Sequence, residues 1–322
     1  VRGFFLITPT SETHKHYQSF ACLPGAEVGY YVYNHRVGQG IIGAALDSEI
    51  REAAVRFRPD FIVYVGACGG NTPSAELFKR LREEIAPTVH FCSDAADDPW
   101  WPLLVDYERA GAFSLQVALD GVRDWPLRDT GLSALTPIDP NFYAAVPAPH
   151  AERPIVLGFA GQIGARRKRR HNPDVDPRLV LVEQLQQHGL QIRLRSGGPE
   201  NYREVAEFLG RCRMVPNFAH TGSRRHTHVK GRVVETGLAG ATLIEPRDSP
   251  TRTWFEPEVE FLEYGSIEEA ITIVERLRGR PEETEAMGAR LRVRLLREHG
   301  LGAFWGRIFD RIGLANPILG AA

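Results

Sequence analysis

Two successive rounds of alternating strand-like and helix-like segments, separated by a proline-rich stretch, constrain this chain more than any other feature. Short apolar runs rich in Val, Ile and Phe alternate with segments of helical period, the pattern of βαβ units and a parallel sheet. In the first half, Gly3–Thr8, Val28–Tyr33, Phe61–Val65, Thr88–Cys92 and Leu115–Leu119 read as strands. Ser48–Phe57 and Ser74–Ile85 carry apolar residues at helical spacing, and Pro59 and Pro87 stop each helix just before the next strand. The stretch holding Pro137, Pro140, Pro147, Pro149 and Pro154 has neither period and reads as an inter-domain connection, with a boundary near residue 150.

Beyond it the alternation restarts, with strands at Ile155–Ala160, Gln191–Arg195, Met214–Phe218, Ala241–Glu245 and Glu260–Tyr264. Helices are expected near Arg178–His188, Tyr202–Leu209 and Val229–Leu238. From Ile267 onward the chain is helical and charged, with Pro281 opening a helix through Arg297 and a last helix over Gly302–Ile312. The expectation is an α/β protein of two Rossmann-like, doubly wound domains, 1–150 and 151–300. Residues 301–322 form a terminal helix able to cross back onto the first domain.

At 322 residues the chain exceeds the roughly 250–300 at which single cores stop growing, in keeping with two domains. A formal net charge of -1 removes the electrostatic case for a nucleic-acid or anionic-membrane protein. No run approaches the ~20 apolar residues of a bilayer span, and the opening Val1–Leu6 is too short for a signal peptide. Cys22, Cys68, Cys92 and Cys212 lie far apart with no Cys-x-x-Cys pair, which argues against a zinc knuckle or a disulfide framework. A reducing, cytoplasmic compartment is expected.

The most informative segment runs from His228 through Lys230, Arg232, Glu235 and Gly240 to Glu245-Pro246. It sets two cations and a carboxylate along about two turns of helix, with Arg232 and Glu235 three apart on one face. A surface ion pair has the same spacing. The functional reading gives Lys230 and Arg232 to a diphosphate, whose oxygens match the guanidinium fork, and Glu235 to the ribose hydroxyls, since a carboxylate is acceptor-only.

This segment resembles the C-terminal domain of group 1 glycosyltransferases, which have the GT-B fold, and in particular the branch of CgeB- and YkvP-type spore-maturation proteins. The resemblance rests on Lys230, Arg232, Glu235 and Gly240, then Phe255-Glu256-Pro257, Glu263-Tyr264 and Glu268-Glu269, in that order. It covers residues 150–300 well and residues 1–150 in outline. It implies two Rossmann-like domains facing a cleft, a nucleotide diphosphate sugar (UDP, GDP or dTDP) held by the second domain, and hexosyl transfer without a metal or other cofactor. Glu235 matches the second member of the family's Glu-x7-Glu pair, which contacts the donor ribose. The first member's place is taken by Thr227, a departure that leaves open a catalytically silent binding protein. An epimerase or phosphorylase on the same fold is the other alternative.

Further donor-binding candidates are the glycine turn Gly158-x-x-Gly161-x-x-Gly164 with Arg166 and Arg169, the Ser196-Gly197-Gly198 turn, and Ser223. Glycine turns expose N–H groups that cradle phosphate. A solvated basic loop and a structural turn are the plain alternatives, and the spacing is not the Gly-x-Gly-x-x-Gly dinucleotide fingerprint. In the family this first turn faces the donor diphosphate.

For the acceptor side, His14 and His16 after the first strand and Asp94 after the fourth lie at carboxyl ends of strands, where open α/β sheets bind ligands. They are candidate general bases for an acceptor hydroxyl on a glycan, protein, lipid or small metabolite. Helix capping and loop solvation are the alternatives. Reading Asp94–Asp98, His14/His16 or His226/His228 as metal ligands lacks an assignable third ligand, so no metal site is expected.

Overall fold

The computed structural model describes residues 1–8, 11–66, 72–97, 100–121, 130–161, 177–194, 200–220 and 225–315. The chain divides into two compact units. The first comprises Val1–Asp139, Thr221–His228 and His299–Ala322; the second comprises Pro140–His220 and Val229–Glu298.

In the first unit the order is β1 (Arg2–Ile7), α1 (Ser11–Ala21), β2 (Glu27–Val32), α2 (Tyr33–Gly38), α3 (Gly43–Phe57), β3 (Phe61–Val65), α4 (Ala75–Glu84), β4 (Thr88–Cys92), α5 (Trp101–Arg109), β5 (Leu115–Ala118) and β6 (Gly131–Ser133). The strands form one parallel sheet in the order β2-β1-β3-β4-β5-β6. Strands β3, β4 and β5 are buried at every position, as continuous apolar runs are when helices cover both faces. Local signals set the helix ends: Ser74 accepts the Leu77 N–H at 3.0 Å to cap α4. At the other end of α3, Arg58 turns into the left-handed region at φ 54°.

In the second unit the order is β7 (Ile155–Gly161), α6 (Pro177–Gln187), β8 (Leu190–Leu194), α7 (Glu200–Gly210), β9 (Cys212–Pro216), α8 (Gly231–Leu238), β10 (Thr242–Pro246), β11 (Leu262–Tyr264), α9 (Ile267–Leu277) and α10 (Pro281–Glu298). Its parallel sheet runs β11-β10-β9-β7-β8. Both sheets therefore reverse strand order beside their first strand, at β1/β3 and at β7/β9, which are the switch points where such sheets bind ligands.

The last helix, α11 (Leu301–Ile312), belongs to the first unit. Leu301, Phe304, Trp305, Ile308 and Phe309 follow one helical stripe and are buried against Phe5, Phe20, Phe61 and Phe91. Each contributes on the order of 2 kcal/mol of apolar burial.

From Pro140 onward the proline-rich stretch is built into the second unit. The buried Arg153 guanidinium donates to the carbonyls of Ala148 (3.0 Å), Cys212 (2.7 Å) and Ala239 (3.1 Å). His150 reaches the Gly240 carbonyl and the Thr284 hydroxyl, each at 2.8 Å. Donors that satisfy several carbonyls at once hold an irregular segment as firmly as a sheet ladder would.

Candidate functional site

In the second unit, α8 follows the switch-point strand β9 and carries the residues singled out by the sequence. Lys230 is its N-cap, in extended conformation with no side-chain cap. Arg232 and Glu235 are both buried, and Arg232 Nη1 lies 2.6 Å from Glu235 Oε2. The Arg232 guanidinium also lies over the Phe159 ring of β7, 5.8 Å from its centroid. The helix places its amino end, where N–H groups lack intrahelical partners, beside this cation–carboxylate pair. Burial distinguishes the pair from a solvated surface bridge, because both charges are shielded from bulk water and attract each other more strongly than an exposed pair would.

Gly161 ends β7 and is buried; a Cβ there would come 2.8 Å from the Phe159 ring. Gly164, Arg166, Arg169, Gly198 and Ser223 lie outside the described residues. Gly240 lies past the far end of α8 from Lys230, at φ +64°, where a Cβ would meet Pro147 at 2.9 Å. Its glycine is required by backbone conformation and close packing.

One residue of this edge was not singled out from the sequence as a site. Glu245, fully buried in β10, accepts from Asn217 Nδ2 (2.8 Å), Ser249 Oγ (2.6 Å) and Thr251 Oγ1 (3.0 Å). Burial pushes its carboxyl up to about 7, against the three donors that favour the charged form. Tyr264 donates to the Asn217 carbonyl at 2.9 Å, so the carboxyl ends of β9, β10 and β11 are tied into one network.

In the first unit, His16, expected only to follow the first strand, lies on α1. It is fully buried, with its ring edge-on to Phe91 at 5.8 Å. The His14 side chain lies outside the described residues. Asp94, beyond the carboxyl end of β4, has a half-exposed carboxylate whose Oδ1 lies 3.7 Å from Nε2 of the buried His228. His228 Nδ1 in turn lies 3.4 Å from Oδ2 of Asp120, just past β5, and this oxygen also accepts the Ala96 N–H at 3.0 Å. The two aspartates flank opposite nitrogens of one ring and do not converge on a point. Among the described residues no group of three or more His, Cys, Asp or Glu side chains forms a metal-holding cluster.

Residues 169–309 match the model of a family described as glycosyl transferase-like. No curated protein matches the sequence significantly. Among solved structures, Anabaena Alr3699/HepE in complex with UDP and glucose aligns over 97% of this chain and 99% of its own, with TM-score 0.59 and 13% identity. Sucrose-phosphate synthase from Thermosynechococcus elongatus aligns over the same shares with TM-score 0.61 and 9% identity. The fold is GT-B. A glycosyltransferase from Rickettsia africae, 8% identical with TM-score 0.61 over 100% of this chain and 99% of that one, shares the GT-B architecture. At such identities the likeness is one of fold, and the chemistry of this GT-B chain has to be argued from its own residues. Among the described residues no helix is long and apolar enough to cross a membrane.

Proposed function

We propose that the chain transfers a sugar from a nucleotide diphosphate sugar to an acceptor hydroxyl. The observation that carries this reading is the buried Arg232–Glu235 pair on α8, inside the glycosyl transferase-like segment and directly after the switch-point strand. On donor binding, Arg232 exchanges the carboxylate for diphosphate oxygens and Glu235 exchanges the guanidinium for ribose hydroxyls, so neither charge is left bare. Lys230 and the amino end of α8 add to the stabilisation of the leaving diphosphate, which makes a metal unnecessary. UDP is the favoured nucleotide, because Anabaena Alr3699/HepE has been solved with UDP and with UDP-glucose.

The order of Lys230, Arg232, Glu235, Gly240 and the later acidic and aromatic residues supports assignment to the CgeB/YkvP-type branch. On the acceptor side Asp94 is the base, because its carboxylate is accessible whereas His16 is buried. The acceptor oxygen bonds to the anomeric carbon, the carbon–phosphate oxygen bond breaks with its electron pair going to the diphosphate, and Asp94 takes the hydroxyl proton. The four scattered cysteines, with no Cys-x-x-Cys pair in the sequence, support a cytoplasmic enzyme.

The test is a thermal-shift screen against UDP, GDP, dTDP, CMP and NAD, with and without EDTA. A ligand bound only by the native state at a hundredfold excess over its Kd adds roughly 2.7 kcal/mol. Stabilisation by one nucleoside diphosphate that survives EDTA supports the reading; stabilisation by none, or by NAD alone, removes it. The fate of labelled sugar then separates transfer from isomerisation or phosphorolysis.

A further inference from the structure

The Asp94–His228–Asp120 row has a property that neither aspartate has alone. His228 is 2% exposed, and among the described residues its Nε2 is shielded from solvent without a hydrogen-bond partner, pointing at the one half-exposed member of the row. Asp120, which is fully buried, lies on the Nδ1 side. A neutral imidazole that donates its Nδ1–H to Asp120 has its lone pair on Nε2, facing the Asp94 carboxylate across 3.7 Å. Two lone pairs in that arrangement repel unless a proton lies between them. The row therefore has one proton place that a solvated aspartate lacks.

We infer that His228 is a positioning residue that receives, through Asp94, the proton released by the acceptor hydroxyl, with Asp120 fixing its tautomer. The inference rests on the glycosyl-transfer reading above. In the step, the acceptor O–H proton moves to an Asp94 oxygen as the acceptor oxygen bonds to the anomeric carbon. The protonated Asp94 then donates to His228 Nε2, giving an imidazolium flanked by Asp94 and Asp120 carboxylates, the two acidic groups that face the ring. Net charge is conserved: one carboxylate is restored as one imidazole is protonated, and the leaving diphosphate keeps the bond electrons. Asp94 alone touches the acceptor. A metal role is disfavoured by the geometry itself, because the carboxylates lie on opposite sides of the ring and cannot share one ion with it.

The test has two arms on the full chain. In the first, ring-labelled histidine NMR follows His228, assigned by the signal lost in His228→Gln. The expected result is an Nδ1–H tautomer in the wild type that Asp120→Asn abolishes, with the Nε2 resonance moved by Asp94→Asn. The opposite tautomer in the wild type, or an Nε2 resonance unmoved by Asp94→Asn, overturns the inference. The second arm measures UDP release from UDP-glucose with water as acceptor. His228→Gln and Asp120→Asn are expected to lower kcat by 10-fold or more with KM for UDP-glucose unchanged, and to move the acid limb of the kcat profile to lower pH. Wild-type kcat and an unmoved limb in either folded variant overturn the relay. Should His228→Gln fail to fold, Asp120→Asn decides alone. Absence of binding by UDP, GDP and dTDP alike in the wild type counts against the transferase reading, and the NMR arm still reports on the row.

Discussion

Arg232 and Glu235 sit one helical turn apart on α8 with their charged atoms 2.6 Å from each other, both buried in the second unit. Removing one partner of a buried pair leaves the other charge bare, at a cost of roughly 3–5 kcal/mol. Glu235→Ala is therefore expected to lose stability as well as donor affinity, while Glu235→Gln keeps an acceptor oxygen and the volume. For Glu235→Gln, titration calorimetry should show UDP affinity reduced at least tenfold, with circular dichroism unchanged at 25 °C. Wild-type UDP affinity in this variant would remove Glu235 from the donor site.

Glu245 predicts a pH dependence of stability with a definite sign. Its carboxyl is raised by burial to about 7, so between its ordinary value near 4.5 and pH 7 the folded chain holds a proton the unfolded chain has released. Stability of the second unit should fall across that window as pH rises, by about 3 kcal/mol in all. Denaturant midpoints collected from pH 4.5 to 7.5 should show the slope in the wild type and its loss in Glu245→Gln.

His90 predicts the opposite slope in the first unit. It is fully buried between Tyr64 and Phe113, with Nδ1 3.3 Å from Gln116 Oε1, and burial holds it down to about 4 despite that hydrogen bond. The unfolded chain takes up a proton below about 6.5 that the folded chain refuses, so stability falls as pH drops from about 6.5 to about 4. His90→Gln should flatten that slope, whatever its own cost in stability. An acid transition of unchanged steepness in the variant would assign it to other groups.

Gly288 tests the close approach of α10 to the turn after α8. A Cβ there would lie 2.4 Å from the Gly240 carbonyl oxygen, a backbone atom that cannot swing aside. Gly288→Ala should cost 1–3 kcal/mol or more by urea denaturation. Gly279→Ala, where nothing lies within 4 Å, serves as the comparison and should change stability by about 0.5 kcal/mol or less.

Ten of the eleven strands among the described residues were legible because buried strands are written as mainly apolar runs; Phe61–Val65 and Thr88–Cys92 begin and end where the sequence puts them, whereas the three-residue β6 was not among the strands expected. Helix α1 was not legible. Its sequence, Ser-Glu-Thr-His-Lys-His-Tyr-Gln-Ser-Phe-Ala, offers few apolar positions, and its buried residues among those described are Lys15, His16, Ser19 and Phe20, three of them polar or charged. Tertiary packing, which includes the Trp305 indole donating to Ser19 Oγ at 3.3 Å, decides its conformation. Helix α5 opens on Trp100 with no side-chain cap, and Pro102 in its first turn is its one local start signal.

The same division runs through the candidate site. The closeness of Arg232 and Glu235 could be read because it is set within one helix. His228 and Asp120 could not, because 108 residues separate them and only the fold brings them together. Glu245 had a local sign that was not used: its donors Ser249 and Thr251 follow within six residues, folded back around Pro250.

The threading of the chain bears on how the molecule is made. The first unit takes its core from β1 to β6 and also from α11, which is translated only after the whole second unit. Until Phe304, Trp305, Ile308 and Phe309 leave the ribosome, the flank of the sheet lined by Phe5, Phe61 and Phe91 lacks its aromatic cover. The unit whose strands are made before the second unit is thus completed after it. Newly begun chains should engage chaperones through that open flank, and a truncation before residue 299 should forfeit the first unit while the second, whose segments are by then all present, can still fold.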